Sequence, residues 1–524
     1  MSDKMLEPAW PLLEAFDEGG RDRPGQDDHR VSQAEAEEPL LASAEIQGNI
    51  LPGFRTSHQM FAFLRIADPQ RAKAALRQIG DEVATMDGVM QAGCGGLARC
   101  LLNLGFTFSG LRKLVRDASL FTDLAFREGM HRRSPLLGDP TDSQAEGNPA
   151  NWVVGSPQDE PDMLLLLGAR DGILADASLQ RLLAKLASGF DIIWLEHGSA
   201  LPGEKAGKEH FGFVEPISQP AIRGRLTSER DSHLTPRSSG SHGHDGQPLV
   251  WPGEFLFGYP GQDPTDILTP GRTSTGGPAW SVNGSYLVFR RLRQNVDKFD
   301  RVLQDAARAL AAADPSLVST TPDLIAAKLM GRWRSGAPLL ISPGKDDPVL
   351  ARDTVATNRF SYSGEAACGS WAGDPLGLAC PYAAHIRRAY PRDDARSPLA
   401  QAEVQTHRLL RRGIPFRRIR PGSEERGLLF LAYQTSIERQ FEFVTRAWLN
   451  NPHVRHLDDG YDPIAGQAPK GADRPFSIAF RREDGSVGRV ELSLPADLVV
   501  PTGGAYFFVP SISALGHITC DEPP

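Results

Sequence analysis

Short apolar runs alternate with longer amphipathic segments through most of the chain. The run QMFAFLRI at 59–66 is apolar and aromatic, which predicts a strand. Asp68 follows as a residue type that caps helices, and the apolar positions from Ala72 to Ile79 have helical spacing. The chain therefore begins its ordered part with a strand and then a helix.

The same order of elements recurs twice before residue 200. ARCLLNLGFTFSGLRKLV at 98–115 predicts a strand and a helix, as do DMLLLLGARD at 162–171 and the amphipathic segment after it. A closing strand is expected near 192–196. Four strands with intervening helices are typical of a ferredoxin-like unit.

A comparable series occupies the second half of the chain. GSYLVFRRLRQNV at 284–296 predicts a strand, and GLLFLAYQ at 427–434 predicts another. Expected elements besides these are helices at 295–313, 322–332 and 437–451, a hairpin at 476–494 and a last strand at 503–513. The pattern predicts a charge-rich, flexible or surface-wrapping arm at 1–44, one half at 45–226, connecting loops at 227–283 and a second half at 284–524.

Composition narrows the class of protein. The 524 residues are 40% hydrophobic with a net charge of −8, which allows a large core and gives no basic surface for nucleic acid and no polybasic membrane patch. The first 45 residues contain no continuous apolar run, so neither a signal peptide nor a membrane span is expected. The five cysteines are few and odd in number, which favours a reducing compartment, and we expect a cytoplasmic protein.

One histidine has an unusual setting. In DPLGLACPYAAHIRRAYPRD at 374–393, Pro381 can open a helix and Pro391 cannot continue one, which predicts about three helical turns with His385 near the middle. Small residues precede His385 and would let a flat ligand approach. A lone histidine on a helix is more often structural than a ligand, so a haem-ligand role for His385 depends on the rest of the chain.

Several stretches together resemble the dye-decolourising (DyP-type) haem peroxidase family. ACPYAAHIRRAYPR at 379–392 is similar to the family's proximal-ligand motif, RRGIPF at 411–416 to its distal-arginine motif, and EHFGFVEPISQPAIRG at 209–224 to its distal-acid segment. Weaker similarities are IQGNILPGF at 46–54 and GEFLFGYP at 253–260. The resemblance implies an α+β fold in which duplicated ferredoxin-like halves form a dimeric α+β barrel-type structure around a haem.

The resemblance also implies a site. His385 would be the axial ligand of the haem iron, Arg411 would contact the haem and stabilise departing hydroxide, and Glu215 would be the acid that moves a proton. The family motif Gly-x-x-Asp-Gly here ends in Glu215 and Pro216, so the acid is longer by one methylene. Arg412 points to the opposite face of the same strand, towards solvent or a haem propionate.

Other residues have weaker claims. Glu438 and Glu442 are candidates for the carboxylate that holds His385, although solvated helix glutamates explain both residues better. A polar loop explains the closely spaced His242 and His244 better than a metal site does. Tyr390, Tyr433 and Trp448 are the aromatic residues through which an oxidising equivalent could reach the surface, and core packing would also explain them.

The function implied is reduction of hydrogen peroxide with oxidation of dyes, phenols or other one-electron donors. Haem b would bind noncovalently because the chain has no CxxCH motif. The alternative is a haem-binding or haem-handling protein of the same fold with weak peroxidase activity. A different haem reaction, a non-haem interaction protein and a homo-oligomer are left open by the sequence.

Overall fold

The computed structural model describes residues 38–93, 100–229, 232–364, 373–394, 400–454, 460–468 and 471–520. Its strands are β1 (His58–Ile66), β2 (Leu101–Phe106), β3 (Met163–Ala169), β4 (Phe190–Ser199), β5 (Ala221–Ile222), β6 (Arg237–Ser239), β7 (His242–Gly243), β8 (Leu249–Val250), β9 (Pro260–Gln262), β10 (Pro270–Thr273), β11 (Ser285–Gln294), β12 (Leu410–Arg411), β13 (Ile414–Arg420), β14 (Ser423–Gln434), β15 (Arg474–Arg481), β16 (Val487–Leu494) and β17 (Val499–Val509). Its α-helices are Pro69–Arg77, Met86–Gly93, Phe108–Leu114, Leu124–Glu128, Met130–Arg133, Gly172–Leu186, Val296–Ala313, Pro322–Met330, His385–Ala389, Gln401–Gln405 and Ile512–Thr519.

Nine strands form one large sheet that closes on itself. The strand order is β11-β17-β2-β3-β1-β4-β13-β14-β12, and β11 also pairs with β14. The first half contributes the order β2-β3-β1-β4, and the second repeats it as β13-β14-β11-β17, all antiparallel. The two halves meet where Phe416 pairs with Gly198 and Phe508 pairs with Phe106. The predicted duplicated ferredoxin-like halves and α+β barrel are confirmed.

Both faces of strands β1, β2, β3 and β17 are buried. Along β1, Phe61 and Phe63 pack in one core cluster, whereas Met60, Ala62 and Leu64 pack in another with the helices. All seven residues of β3 are buried. Burial on both faces explains why these strands are near-continuous apolar runs rather than alternating ones. Burial of each large apolar side chain contributes about 1.5–3 kcal/mol to the free energy of folding.

The predicted helices form with shifted bounds. Asp68 caps the first helix by accepting hydrogen bonds from the N–H groups of Gln70 and Arg71. That helix ends at Arg77, although Ile79 beyond it is still buried. The helix Val296–Ala313 and the predicted hairpin, now β15–β16, pack together in a third cluster.

The segment predicted as a helix at 437–451 is wider than an α-helix. It consists of two π-helical pieces, Glu438–Glu442 and Val444–Leu449. The N–H of Glu442 donates to the carbonyl of Ile437, five residues back, as a π-helix requires. The apolar pattern predicts a helix here but does not distinguish the two hydrogen-bond spacings.

The segment between the halves contributes to the core as well as to loops. Trp251, Phe255, Leu256 and Phe257 are buried, and the histidine-rich part forms the small hairpin β6–β7. Of the predicted N-terminal arm, residues 1–37 lie outside the described residues. Glu38 is buried and accepts a hydrogen bond from the Arg223 guanidinium at 2.8 Å.

A buried histidine gives the fold a measurable pH dependence. Burial lowers the pKa of His407 to about 4, although its Nδ1 donates to the carbonyl of Arg439. The pKa of an unfolded histidine is about 6.5. As the pH falls from 6.5 towards 4, the unfolded chain binds a proton at His407 that the folded protein does not bind, and the free energy of unfolding decreases. Between pH 7 and pH 5 this one group costs about 2 kcal/mol of unfolding free energy.

His407→Phe keeps a ring against Phe443 but cannot bind a proton. Between pH 7 and pH 5 we therefore expect its free energy of unfolding to fall by about 2 kcal/mol less than that of wild type. Denaturant unfolding at pH 7 and pH 5 measures both losses. An equal loss in the two proteins would show that His407 is not buried as a neutral ring.

Candidate active site

His385 begins a short helix rather than lying inside a long one. The helix is His385–Ala389, and Ala384 before it has extended backbone with φ −54° and ψ 138°. The Asp374 carboxylate holds the preceding loop by accepting N–H groups of residues 378–380. The helix ends where Tyr390 turns extended before Pro391, as proline requires. The predicted three-turn helix with His385 near its middle is therefore wrong.

The carboxylate partner of His385 is Asp462. Nδ1 of His385 lies 2.8 Å from Oδ2 of Asp462, a residue 77 positions away and fully buried. Burial alone lowers the pKa of His385, but the Asp462 carboxylate outweighs burial and the pKa lies above its usual value. Burial raises the pKa of Asp462, yet His385 and backbone donors more than offset it, and that pKa lies below its usual value.

Glu438 and Glu442, the partners considered from the sequence, bind elsewhere. Both accept hydrogen bonds from the guanidinium of Arg133, at 3.4 Å and 2.5 Å respectively. The suggestion that either holds His385 is therefore wrong. The sequence signal at Asp462 is the turn-forming DPIAG, which indicates a loop and says nothing of a distant histidine.

The Asp462 loop is fixed from several directions. Oδ1 of Asp462 accepts the N–H groups of Ile464, Ala465 and Gly466. The buried guanidinium of Arg474 donates to the carbonyls of Asp462 and Gly466 at 3.1 and 2.7 Å. The carboxylate is thus held in one orientation before it meets the imidazole.

We expect Asp462→Asn to weaken haem binding. The amide keeps the size of the side chain but removes the negative charge that orients and polarises the His385 ring. Loss of such a partner typically costs about 10–100-fold in affinity. Titration of the haem-free protein with haem, followed by absorbance, measures the change. Wild-type affinity in Asp462→Asn would show that the contact does not support the ring.

Glu215 lies at the end of a tight loop. Gly212 has φ +94°, a conformation that favours glycine, and the Glu209 carboxylate accepts the N–H groups of Phe211 and Phe213. The N–H of Glu215 donates to the carbonyl of Gly207 at 2.9 Å. These bonds fix the backbone and leave the Glu215 side chain one-third exposed.

Arg411 reaches this carboxylate from strand β12. Its Nη1 lies 3.3 Å from Oε2 of Glu215, and its Nη2 donates to the carbonyl of Ser218 at 2.9 Å. Gln219 clamps the Arg411 backbone, since its amide donates to the carbonyl and accepts from the N–H. The structure therefore brings together two of the three residues singled out from the sequence.

Arg412 directly follows strand β12 and binds away from Glu215. Its guanidinium donates to the carbonyls of Asn49, Ile50 and Arg411. Gly53, with φ +99°, packs against it so closely that a Cβ would lie 2.3 Å from its Nε. Arg412 thus joins the IQGNILPGF segment to the barrel, a structural role that the prediction of contact with solvent or a haem propionate did not include.

His385 shares one environment with the Glu215–Arg411 pair. The charges of Glu215 and Arg411 both act on the imidazole, the first raising and the second lowering the pKa of His385. Its Nε2 forms no hydrogen bond with any residue that the structure describes, and the side chain is 21% exposed. An imidazole held by a carboxylate at Nδ1 with Nε2 available is the donor that haem iron takes. The residues present therefore fit a haem.

The remaining residues singled out from the sequence are dispersed. Tyr433 and Trp448 are buried, and Tyr433 accepts a hydrogen bond from Asn49. Nδ1 of His242 lies 2.8 Å from Oγ of Ser241. In the described part of the chain no group of three or more metal-binding side chains occurs.

Two family models match the chain. The model described as the DyP dimeric alpha+beta barrel domain matches residues 45–200, and the model for the C-terminal part of Dyp-type peroxidases matches residues 367–460. A dye-decolorizing peroxidase of Mycetinis scorodonius is 30% identical over 494 residues, which is 91% of this chain and 87% of that protein. The chain belongs to the dye-decolourising peroxidase family.

Other relatives and structures agree with this assignment. A dye-decolorizing peroxidase of Auricularia auricula-judae is 30% identical over 503 residues, with 93% of this chain and 88% of that protein covered. An ancestral D-type dye decolorizing peroxidase superposes with a TM-score of 0.75 at 31% identity, covering 92% of this chain and all of the other. This DyP-type peroxidase is accordingly an oxidoreductase, and its family implies a haem cofactor. No helix among its described residues has the length and apolar character needed to cross a bilayer.

Proposed function

We propose that this DyP-type peroxidase binds haem b noncovalently through His385 and reduces hydrogen peroxide with electrons from aromatic donors. The single observation that carries the proposal is the contact between Glu215 and Arg411 next to a histidine held by Asp462. A haem-handling protein would need only the histidine. An acid paired with an arginine is what cleavage of an O–O bond additionally requires.

Haem, when bound at Nε2 of His385, supplies an iron that passes electrons from donors to peroxide. Asp462 keeps the proton on Nδ1 and so leaves Nε2 as the basic nitrogen. Arg474 and the backbone donors around Asp462 preserve that arrangement. Each of these residues acts by orienting the ring.

Glu215 is the proton carrier. Its carboxylate takes a proton from one oxygen of hydrogen peroxide and returns it to the other, which leaves as water. The side chain is one-third exposed and is fixed only through its backbone and Arg411, so it can move between the two oxygens. The extra methylene relative to aspartate lengthens its reach. Proton transfer by a positioned side chain contributes about 10²–10⁴-fold to rate.

Arg411 stabilises negative charge on the departing oxygen. The carbonyl of Ser218 holds its guanidinium and Gln219 holds its backbone, so the donors are in position before the charge develops. Its Nη1 also lies 3.3 Å from Oε2 of Glu215, so the two side chains that act on peroxide are in contact.

The donors are aromatic one-electron reductants, including dyes and phenols. Support comes from the names of the relatives, among them a multifunctional dye peroxidase of an Amycolatopsis strain that is 29% identical over 496 residues, 90% of this chain and 94% of that protein. We also place the protein in the cytoplasm. The described cysteines Cys100, Cys380 and Cys520 are unpaired, as is usual in a reducing compartment.

The proposal is tested by comparing wild type with His385→Ala. Wild type is expected to take up one haem per chain with a sharp Soret band and then to oxidise a dye in a peroxide-dependent reaction. His385→Ala is expected to lose the band or shift it and to lose turnover. His453→Ala, at an exposed histidine, is the control. Equal Soret bands and turnover in wild type and His385→Ala would contradict the proposal.

A further inference from the structure

A cavity adjoins the segments that carry His385 and Glu215. It has a volume of about 250 Å³, and its lining includes His242, Arg359, Phe360, Tyr390 and Arg392. Phe360 and Arg392 are buried, whereas Arg359 is exposed. The lining therefore combines a buried aromatic residue and a buried cation with one arginine that solvent reaches.

One helix end and one hydrogen bond connect this cavity to the segments that carry the catalytic residues. Tyr390 is the residue at which the helix of His385 ends. Asn358, also in the lining, donates from Nδ2 to the carbonyl of Ile217 at 3.3 Å, two residues beyond Glu215. One wall thus continues from the proximal helix and another from the loop that carries the acid.

The charges of the cavity favour an anion. Arg359 forms no side-chain hydrogen bond or ion pair within the part of the chain that the structure describes, and Arg392 uses one Nη to donate to the carbonyl of Asn358. The Asp393 carboxylate also faces the cavity, but the N–H of Tyr362 and the hydroxyls of Ser361 and Ser363 bind it.

His242 does not alter this balance. Burial, together with the charges of Arg359 and Arg392, holds the pKa of His242 below its usual value, so its ring is neutral at neutral pH. Two arginines therefore face one carboxylate that already has three donors. An added carboxylate would find an arginine with its donors available.

The size and the aromatic walls limit the rest of the ligand. Phe360 and Tyr390 line the cavity, and the guanidinium of Arg392 stacks on their rings at 4.1 Å and 4.9 Å, so the lining places aromatic side chains beside its charges. A cavity of about 150 Å³ suffices for a benzene molecule. The space of about 250 Å³ accordingly takes one substituted ring.

We propose that this cavity binds the reducing substrate and selects single-ring phenolic carboxylates, with the carboxylate on Arg359. The inference rests on the proposed peroxidase function and names its donor class. Each phenol loses one electron and one proton to become a phenoxyl radical. Two phenols together reduce one hydrogen peroxide to two waters, so electrons and protons balance.

Direct binding to the haem-loaded protein without peroxide tests the proposal. The probes are 4-hydroxybenzoate and its neutral isostere 4-hydroxybenzamide, measured by calorimetry at low and high salt. Wild type is expected to bind the acid roughly five- to tenfold more tightly than the amide, a preference that shrinks with salt. Because no turnover is involved, failure of the peroxidase proposal would leave this result intact, and the reverse also holds.

Variants at the cavity edge complete the test. Arg359→Gln is expected to abolish the preference for the acid, Arg359→Lys to restore part of it, and Arg352→Gln, an exposed arginine outside the lining, to leave it at the wild-type ratio. Equal affinities for acid and amide in wild type, or an unchanged ratio in Arg359→Gln, would overturn the proposal. A parallel loss of haem affinity in Arg359→Gln would overturn it too, because the cavity would then serve the cofactor.

Discussion

Arg411→Leu is expected to slow the reaction of the haem-loaded protein with hydrogen peroxide by roughly 10²–10³-fold, while haem content stays near one per chain. Leucine fills similar space but donates no hydrogen bond to the departing oxygen, and it also leaves Glu215 without its cationic partner. Stopped-flow absorbance, following the decay of the resting Soret band at several peroxide concentrations, gives the rate constant.

Arg417→Leu is the matched control for this measurement. Arg417 lies on the neighbouring strand β13, is exposed, and pairs with Glu424 at the surface. The Arg417→Leu variant should react with peroxide at the wild-type rate. If the two variants react with peroxide at the same rate, Arg411 takes no part in that reaction.

Glu442→Ala is expected to lower the free energy of unfolding by about 3–5 kcal/mol, because it leaves a buried guanidinium without its main partner. Both Glu442 oxygens accept from Arg133, at 3.0 and 2.5 Å, and the hydroxyl of Tyr506 donates to one of them at 3.1 Å. The Glu442 side chain is completely buried, and that of Arg133 is 8% exposed. The shift of the denaturant midpoint measures the loss.

Glu438→Ala separates this burial effect from a general effect of charge. Glu438 contacts the same guanidinium at 3.4 Å but is 42% exposed, so its removal is expected to cost about 1 kcal/mol or less. Haem affinity should be unchanged in both folded variants, since neither carboxylate contacts His385. Equal midpoint shifts in the two variants would show that the Arg133–Glu442 contact is no stronger than a surface pair.

The fold was predictable because its strands are simple in physical terms. Runs such as 163–169 are buried on both faces, so their apolar character is continuous and easily recognised. The barrel architecture was inferred from the family resemblance and not from the runs themselves. Helix ends were less predictable, since the helix after Asp68 stops at Arg77 while its apolar spacing continues to Ile79.

The site was predictable where its residues lie in short sequence motifs. His385, Glu215 and Arg411 were all recognisable in short words of sequence, and Glu215 and Arg411 do meet. Asp462 was not, because its partner is 77 residues away and only the tertiary fold brings them to 2.8 Å. The contact of Arg412 with residues 49–50 was missed for the same reason.

The proposed mechanism depends on whether Glu215 can do the work of the aspartate in the family's acid motif. Glu215 keeps the carboxylate, and its contact with Arg411 at 3.3 Å shows that the longer side chain reaches the arginine. Substitution by aspartate would restore the family residue, and substitution by glutamine would keep the size while removing the proton acceptor. These two variants therefore separate reach from acid–base chemistry.

The most direct measurement is stopped-flow mixing of hydrogen peroxide with haem-loaded wild type, Glu215→Gln and Glu215→Asp, following the decay of the resting Soret band. The account predicts that Glu215→Gln reacts at least about 100-fold more slowly than wild type, and that Glu215→Asp retains most of the rate. Decay in Glu215→Gln at the wild-type rate would contradict the account, because the carboxylate would then carry no proton in the reaction with peroxide.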